Sequence, residues 1–245
     1  MHEFKFSDLR LDAWRVVEDQ HSSSTLKLVD SVEEHEVLEL LLEKSKPPLA
    51  SAEFQNFHYL LTTPFRYPPL RYGSRFGRNF ERGIWYGAAK IETCFCETAY
   101  YRFLFRSAVT GAQLPPFELT FTGFSVGLKS AQAVDLTLPA YAHFKKPLVS
   151  KTDYSFTQRV GSQLRESGVD FFLYHSARSL TDEINIGVFA PSAFMHRQPS
   201  QMQNWRGTIT DNFAMFQRQE IWKKVKFQFQ LDQFQVEGHL PTPSC

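Results

Sequence analysis

The sequence predicts an α+β fold, and three observations point to it. Helical and strand patterns are mixed along the chain without a regular strand–helix–strand alternation. The stretches FELTFTGFSVG (117–127) and EIWKKVKFQFQLDQFQVEG (220–238) alternate polar and apolar residues with the period of a strand. KIETCFCETAYYRFLFR (90–106) and DYSFTQRVGSQLRESG (153–168) suit helices, the second ending on Gly168, where a glycine cap belongs.

Taken in order, residues 1–55 are charged and read as a helical extension packed on a main domain of residues 56–245. Within the extension, EEHEVLELLLEK (33–44) places acids before a run of leucines and a lysine after it, as the helix dipole favours. HSSST (21–25) is a loop, and the two prolines of KSKPPLAS (44–51) close the segment. FHYLLTTPFRY (57–67) reads as a strand interrupted at Pro64, and GIWYGAA (83–89) as a short aromatic strand. In the helix at 90–106, Ile91, Phe95, Thr98 and Phe105 share one face, with Glu97 on its shoulder beside Tyr101 and Leu104. VDFFLYHS (169–176) and INIGVFAP (184–191) are strands.

Composition bounds the function. The chain has 245 residues, 42% hydrophobic and 15% aromatic with 24 phenylalanines, enough for an ample aromatic core. A net charge of +1 does not advertise nucleic acid or membrane. Three cysteines in no framework spacing predict reduced thiols, and Cys94-Phe95-Cys96 is too close for a zinc pair, so no metal is expected. Residues 1–15 are too polar for a secretory signal, and no apolar run approaches the ~18 residues of a membrane span. The cytoplasm is the expected compartment.

Four features carry chemistry. No acidic residue occurs between Glu53 and Glu81, while Arg66, Arg71, Arg75 and Arg78 fall in that interval and Arg82 just after it. Guanidinium groups concentrated in this way invite an anion, phosphate above all, and Gly73 and Gly77 let backbone approach a ligand. The alternative is a solvated loop whose arginines pair with acids such as Glu92 and Asp182. Glu97 is a carboxylate on the shoulder of an aromatic helix, placed to overlook a pocket. GFSVG (123–127) matches the nucleophile elbow of serine hydrolases, with Ser125 as nucleophile and Asp170 and His175 or His196 as partners, although a poor helix follows it. In YHSARS (174–179), Ser176 and Arg178 face one side of a strand end. Tyr67, Tyr72, Phe76 and Phe80 between the arginines would suit a nucleic-acid binder, against which the near-neutral charge counts.

FRYPPLRYGSRFG, RGIWYGA, ETCFCETAYYR and YHSAR followed by GVFAPSAF stand in this order over residues 55–200. Together they resemble the RES domain, the toxin component of bacterial Xre–RES toxin–antitoxin pairs, named for an arginine, a glutamate and a serine. The matching positions are Arg66 or Arg75, Glu97 and Ser176, with Tyr86 in the family's tyrosine position. The resemblance implies a core like that of ADP-ribosyltransferase toxins, with a mixed or antiparallel sheet. It also implies an enzyme that degrades NAD by hydrolysis or phosphorolysis. NAD is then a substrate rather than a cofactor, with inorganic phosphate as an optional co-substrate. It further implies a helix-turn-helix antitoxin of the Xre type that covers the site; transfer of ADP-ribose to a protein is the alternative. On this reading Glu97, Arg75 and Ser176 are catalytic, and Arg66, Tyr67, Tyr86 and Arg178 bind substrate. The extension contacts the partner or forms a dimer face.

Overall fold

A computed structural model of the chain describes residues 4–19, 31, 33–34, 37–38, 41, 54, 56–67, 71–109, 114–220 and 224–242. Eight strands form one sheet: β1 (Phe6–Glu18), β2 (Trp85–Ala88), β3 (Phe117–Asp135), β4 (Phe171–His175), β5 (Ile184–Val188), β6 (Gln201–Ile209), β7 (Phe213–Arg218) and β8 (Lys226–Gln230). The longer helices among the described residues are α1 (Tyr59–Arg66), α2 (Ile91–Ser107) and α3 (Ser155–Glu166), with a single turn at Lys145–Leu148. The strand order is β1-β2-β5-β4-β3-β6-β7-β8. β1 also runs antiparallel along β3, from Phe6 opposite Val134 to Glu18 opposite Phe121. It meets β2 at Trp14 opposite Ala88. The pairings β1–β2–β5–β4–β3–β1 therefore close a ring, and β6, β7 and β8 extend from it. Only β3 and β4 are parallel, joined by a crossover that contains α3. The mixed α and β character expected from the sequence is present, with the sheet dominating.

The helical reading of residues 1–55 fails over its first part. Residues 6–18 are strand β1, because Leu9, Leu11 and Ala13 alternate with Arg10 and Asp12; the first two pack against the core and Ala13 is fully buried in it. The charges on the other face, Asp8, Arg10 and Asp12, disguise that period, since aspartate is a poor strand former. Farther on, residues 33–34, 37–38 and 41 are helical, as expected. The loop expected at 21–25 and the proline segment at 44–51 lie outside the described residues.

Residues 59–66 are helix, not an interrupted strand. The His58 imidazole caps the helix by accepting from the Leu60 amide at 3.3 Å, and Leu60, Leu61 and Phe65 bury on one side. Pro64 lies inside the helix and cannot donate to the carbonyl four residues back, and the helix ends two residues later. α2 is where it was expected, but its buried face is Phe95, Ala99, Tyr100 and Phe103, while Phe105 is 59% exposed. With aromatics on every side, periodicity alone does not choose the phase. β6 and β7 were not foreseen. In β6 only Trp205, Gly207 and Ile209 are buried, and polar residues hide the alternation.

GFSVG lies inside the 19-residue strand β3, where Ser125 pairs with both Trp14 and Gln201 and is 3% exposed. An elbow needs a sharp strand-to-helix turn that presents the hydroxyl. Ser125 has neither turn nor access, so the serine-hydrolase reading is withdrawn.

The core has three parts. Trp85, Phe124, Val126, Phe171 and Ile186 fill the ring beneath α1. Phe76, Phe172, Tyr174, Val160 and Leu164 join the other side of β4 to α3. Phe95, Tyr100, Phe103, Trp205, Phe216 and Phe234 seat α2 on β6–β8. α2 is thus clamped on its apolar side, leaving Glu97 on the flank that looks toward the ends of β4 and β5. No helix among the described residues is long and apolar enough to cross a membrane.

Candidate active site

The loop that carries Arg75 is a tight turn: the Ser74 amide donates to the Gly77 carbonyl at 2.7 Å. Gly73 enters it with φ +73°, a conformation that favours glycine, and a Cβ there would lie 2.3 Å from the Gly77 carbonyl oxygen. The glycine therefore serves the turn. Gly161 lets α3 take the loop directly, since a Cβ there would fall 1.8 Å from the Phe76 carbonyl oxygen. Gln158 on α3 donates to the carbonyls of Tyr72 and Ser74, each at 3.1 Å. From β2, the Tyr86 hydroxyl bonds Ser74 Oγ at 2.9 Å and accepts from the Phe76 amide at 3.0 Å. Burial pushes the Tyr86 phenol up to about 12, against the pull of these bonds and of Arg165 and Arg75. Tyr86 thus holds the loop in place through its hydroxyl.

Held this way, Arg75 is 8% exposed. Its Nη1 donates to the Ser150 carbonyl at 2.9 Å and its Nη2 to the Tyr154 hydroxyl at 3.4 Å. The guanidinium also lies 4.5 Å from the centre of the Tyr154 ring. Burial works to lower its pKa, but Tyr154, Glu97 and Tyr174 outweigh that and raise it, so the group stays cationic.

Ser176 ends β4. Its Oγ accepts from the amides of Arg178 and Ser179, each at 3.2 Å, and donates to Glu97 Oε1 at 2.8 Å. One hydroxyl thus fixes the turn and the carboxylate together. The same turn delivers Arg178, 1% exposed, with its guanidinium 3.5 Å from the centre of the Tyr100 ring. Arg178 Nη2 donates to the Lys151 carbonyl at 3.3 Å and to the Tyr154 hydroxyl at 3.4 Å, while Nη1 is buried without a partner. Lys151 has its pKa lowered by burial and by Arg178. From β5, Asn185 Nδ2 donates to Glu97 Oε1 at 2.7 Å.

Arg75, Glu97, Ser176 and Arg178 therefore come together, linked through Tyr154. Among the described residues neither guanidinium makes an ion pair. Two buried cations beside a single carboxylate are costly unless an anion joins them. Three of the other arginines each lie over an aromatic ring. Arg71 lies over Tyr72, Arg78 over Phe80 and Arg82 over Phe54. Arg66 is in the last turn of α1 and Tyr67 follows it, 39% exposed; neither is among the residues that meet at Glu97. Of the two candidates for the name-giving arginine, Arg75 is the one beside Glu97. Tyr154 and Asn185 were missed. An asparagine in the interior of the apolar strand INIGV was the available signal for the second, because that strand otherwise rejects such a residue.

The RES domain family model matches residues 48–209, most of the chain, and the span holds every residue of the cluster. The chain belongs to the RES domain family. β7 and β8 lie beyond the matched span of the RES domain, yet β8 and the Asp232–Phe234 turn help seat α2. Among solved structures the RES domain is similar to a chain of the M. tuberculosis MbcT–MbcA toxin–antitoxin complex. The identity is 13%, the TM-score 0.45, and the coverage 84% of this chain and 87% of that one. No curated protein matches in sequence.

Proposed function

We propose that this RES domain cleaves the nicotinamide–ribose bond of NAD, acting as the toxin of a type II pair restrained by an Xre-type antitoxin protein. The observation that carries the reading is the pairing of a carboxylate fixed by two donors with two buried guanidinium groups that make no ion pair among the described residues. A dinucleotide has the complementary parts, a diphosphate and a ribose that becomes cationic as its C–N bond breaks.

Arg75 and Arg178 would grip the diphosphate, each guanidinium offering forked donors to its oxygens. The electron pair of the breaking bond leaves with nicotinamide, neutralising the pyridinium, and the ribose becomes an oxocarbenium ion. Glu97 stabilises that charge as it develops, held in place beforehand by Ser176. Water attack then gives ADP-ribose and a released proton; phosphate attack gives ADP-ribose 1''-phosphate.

The test is incubation of the purified protein with NAD, with and without inorganic phosphate, and chromatography of the products. Free nicotinamide with one of the two ADP-ribose products is expected. Intact NAD under both conditions would overturn the proposal. Nicotinamide release only when a protein acceptor becomes labelled with ADP-ribose would replace it with protein ADP-ribosylation.

A further inference from the structure

We infer that Asn185 is the positioning residue that orients Glu97 for the reaction. The inference rests on the reading of Glu97 given above and deepens it.

Asn185 sits in β5, a central strand, opposite Tyr174 of β4 on one side and Ala88 of β2 on the other. Its backbone is thereby fixed from both edges, and its side chain is 3% exposed. Buried amides are rare in such strands because each unpartnered polar atom costs roughly 1–3 kcal/mol. Here Nδ2 is spent on Glu97 Oε1 at 2.7 Å, and Oδ1 is buried with no partner. The amide can face the carboxylate only with its NH₂ end, since a carboxylate only accepts. A residue kept for stability alone would satisfy both ends.

The geometry also divides the labour between the two carboxylate oxygens. Ser176 Oγ and Asn185 Nδ2 both donate to Oε1, at 2.8 and 2.7 Å. Two donors on one oxygen fix the rotation of the carboxylate and leave Oε2 for the substrate. Ser176 is on a turn, whereas Asn185 is on a rigid strand, so Asn185 supplies the more fixed of the two restraints.

The test compares the parent with Asn185→Leu, which keeps the shape and removes the donor. Expected are a ~10–100-fold lower kcat for NAD, an unchanged KM, and Glu97 spread over more than one rotamer in a crystal structure of the variant. A structural role would lower the melting temperature and leave kcat per folded molecule alone. If Asn185→Leu does not fold, Asn185→Asp takes its place, and its carboxylate repels Glu97. Either variant with parental kcat and a single, unmoved Glu97 rotamer overturns the inference. If the parent leaves NAD intact, the reading of the function fails, and the crystal structures alone decide the role of Asn185.

Discussion

The Ser176 hydroxyl donates to the Glu97 carboxylate over 2.8 Å although the two residues stand 79 positions apart. The pair joins the end of β4 to the flank of α2, and the same serine oxygen anchors the turn that buries Arg178. The carboxylate proposed for catalysis and the guanidinium proposed to grip the anion are thereby coupled through one side chain.

Glu97→Gln tests the charge and not the shape. The glutamine still accepts from Ser176 and Asn185 through its carbonyl, so the fold should survive with an unchanged circular dichroism spectrum. Turnover of NAD should fall by ~100-fold or more, as when one electrostatic stabiliser of a transition state is lost. A parental rate of nicotinamide release would remove Glu97 from the mechanism.

Tyr86→Phe separates the loop from the chemistry. The phenylalanine leaves the Phe76 amide and Ser74 Oγ without their shared partner, a loss of roughly 1–3 kcal/mol for a buried donor left unmade. Arg75 then rides on a looser turn, so KM for NAD should rise several-fold with a smaller change in kcat. Steady-state kinetics beside urea denaturation distinguish the outcomes. A collapse of kcat at constant KM would mean that Tyr86 acts on the reacting atoms instead.

What the sequence revealed of this site follows from how each residue is placed. Glu97, Ser176 and Arg178 were legible because each stands in a local pattern, a helix shoulder or a strand end, that constrains its direction. The choice between Arg75 and Arg66 as the name-giving arginine was not legible. It depends on Gln158, Gly161 and Tyr86 pinning the loop from elsewhere in the chain. Tyr154 was invisible for a similar reason: it acts by standing between two guanidiniums brought from either side. In the fold, strands with clean alternation were read correctly, while β1 and β6 were hidden by charged and polar residues on their open faces.

Alkaline pH should unfold the protein by way of buried acids. Burial holds the Cys94 thiol up at about 12, far above its ordinary 9.0. An unfolded thiol ionises near 9, so the folded state binds the extra proton between pH 9 and about 12, and stability falls as pH rises through that window. The slope is about 1.4 kcal/mol per pH unit for one such group. Cys94→Ala should therefore show a shallower fall in melting temperature from pH 9 to 11 than the parent. Parallel curves would show that Cys94 keeps no such proton.

Arg178→Met sets stability against binding. Methionine occupies a similar volume over the Tyr100 ring but carries no charge, and replacing a buried unpaired ion with an apolar side chain is often neutral or stabilising by roughly 1–4 kcal/mol. Without ligand, the variant should be no less stable than the parent in urea. ADP-ribose should raise the parent's stability by about 2.7 kcal/mol at a hundredfold excess over its Kd, and leave the variant unmoved. The two measurements together are diagnostic, because a residue kept only to hold the fold would show the reverse: a variant that unfolds early yet still responds to ADP-ribose. That reverse pattern would assign Arg178 to the scaffold and leave Arg75 as the grip on the diphosphate.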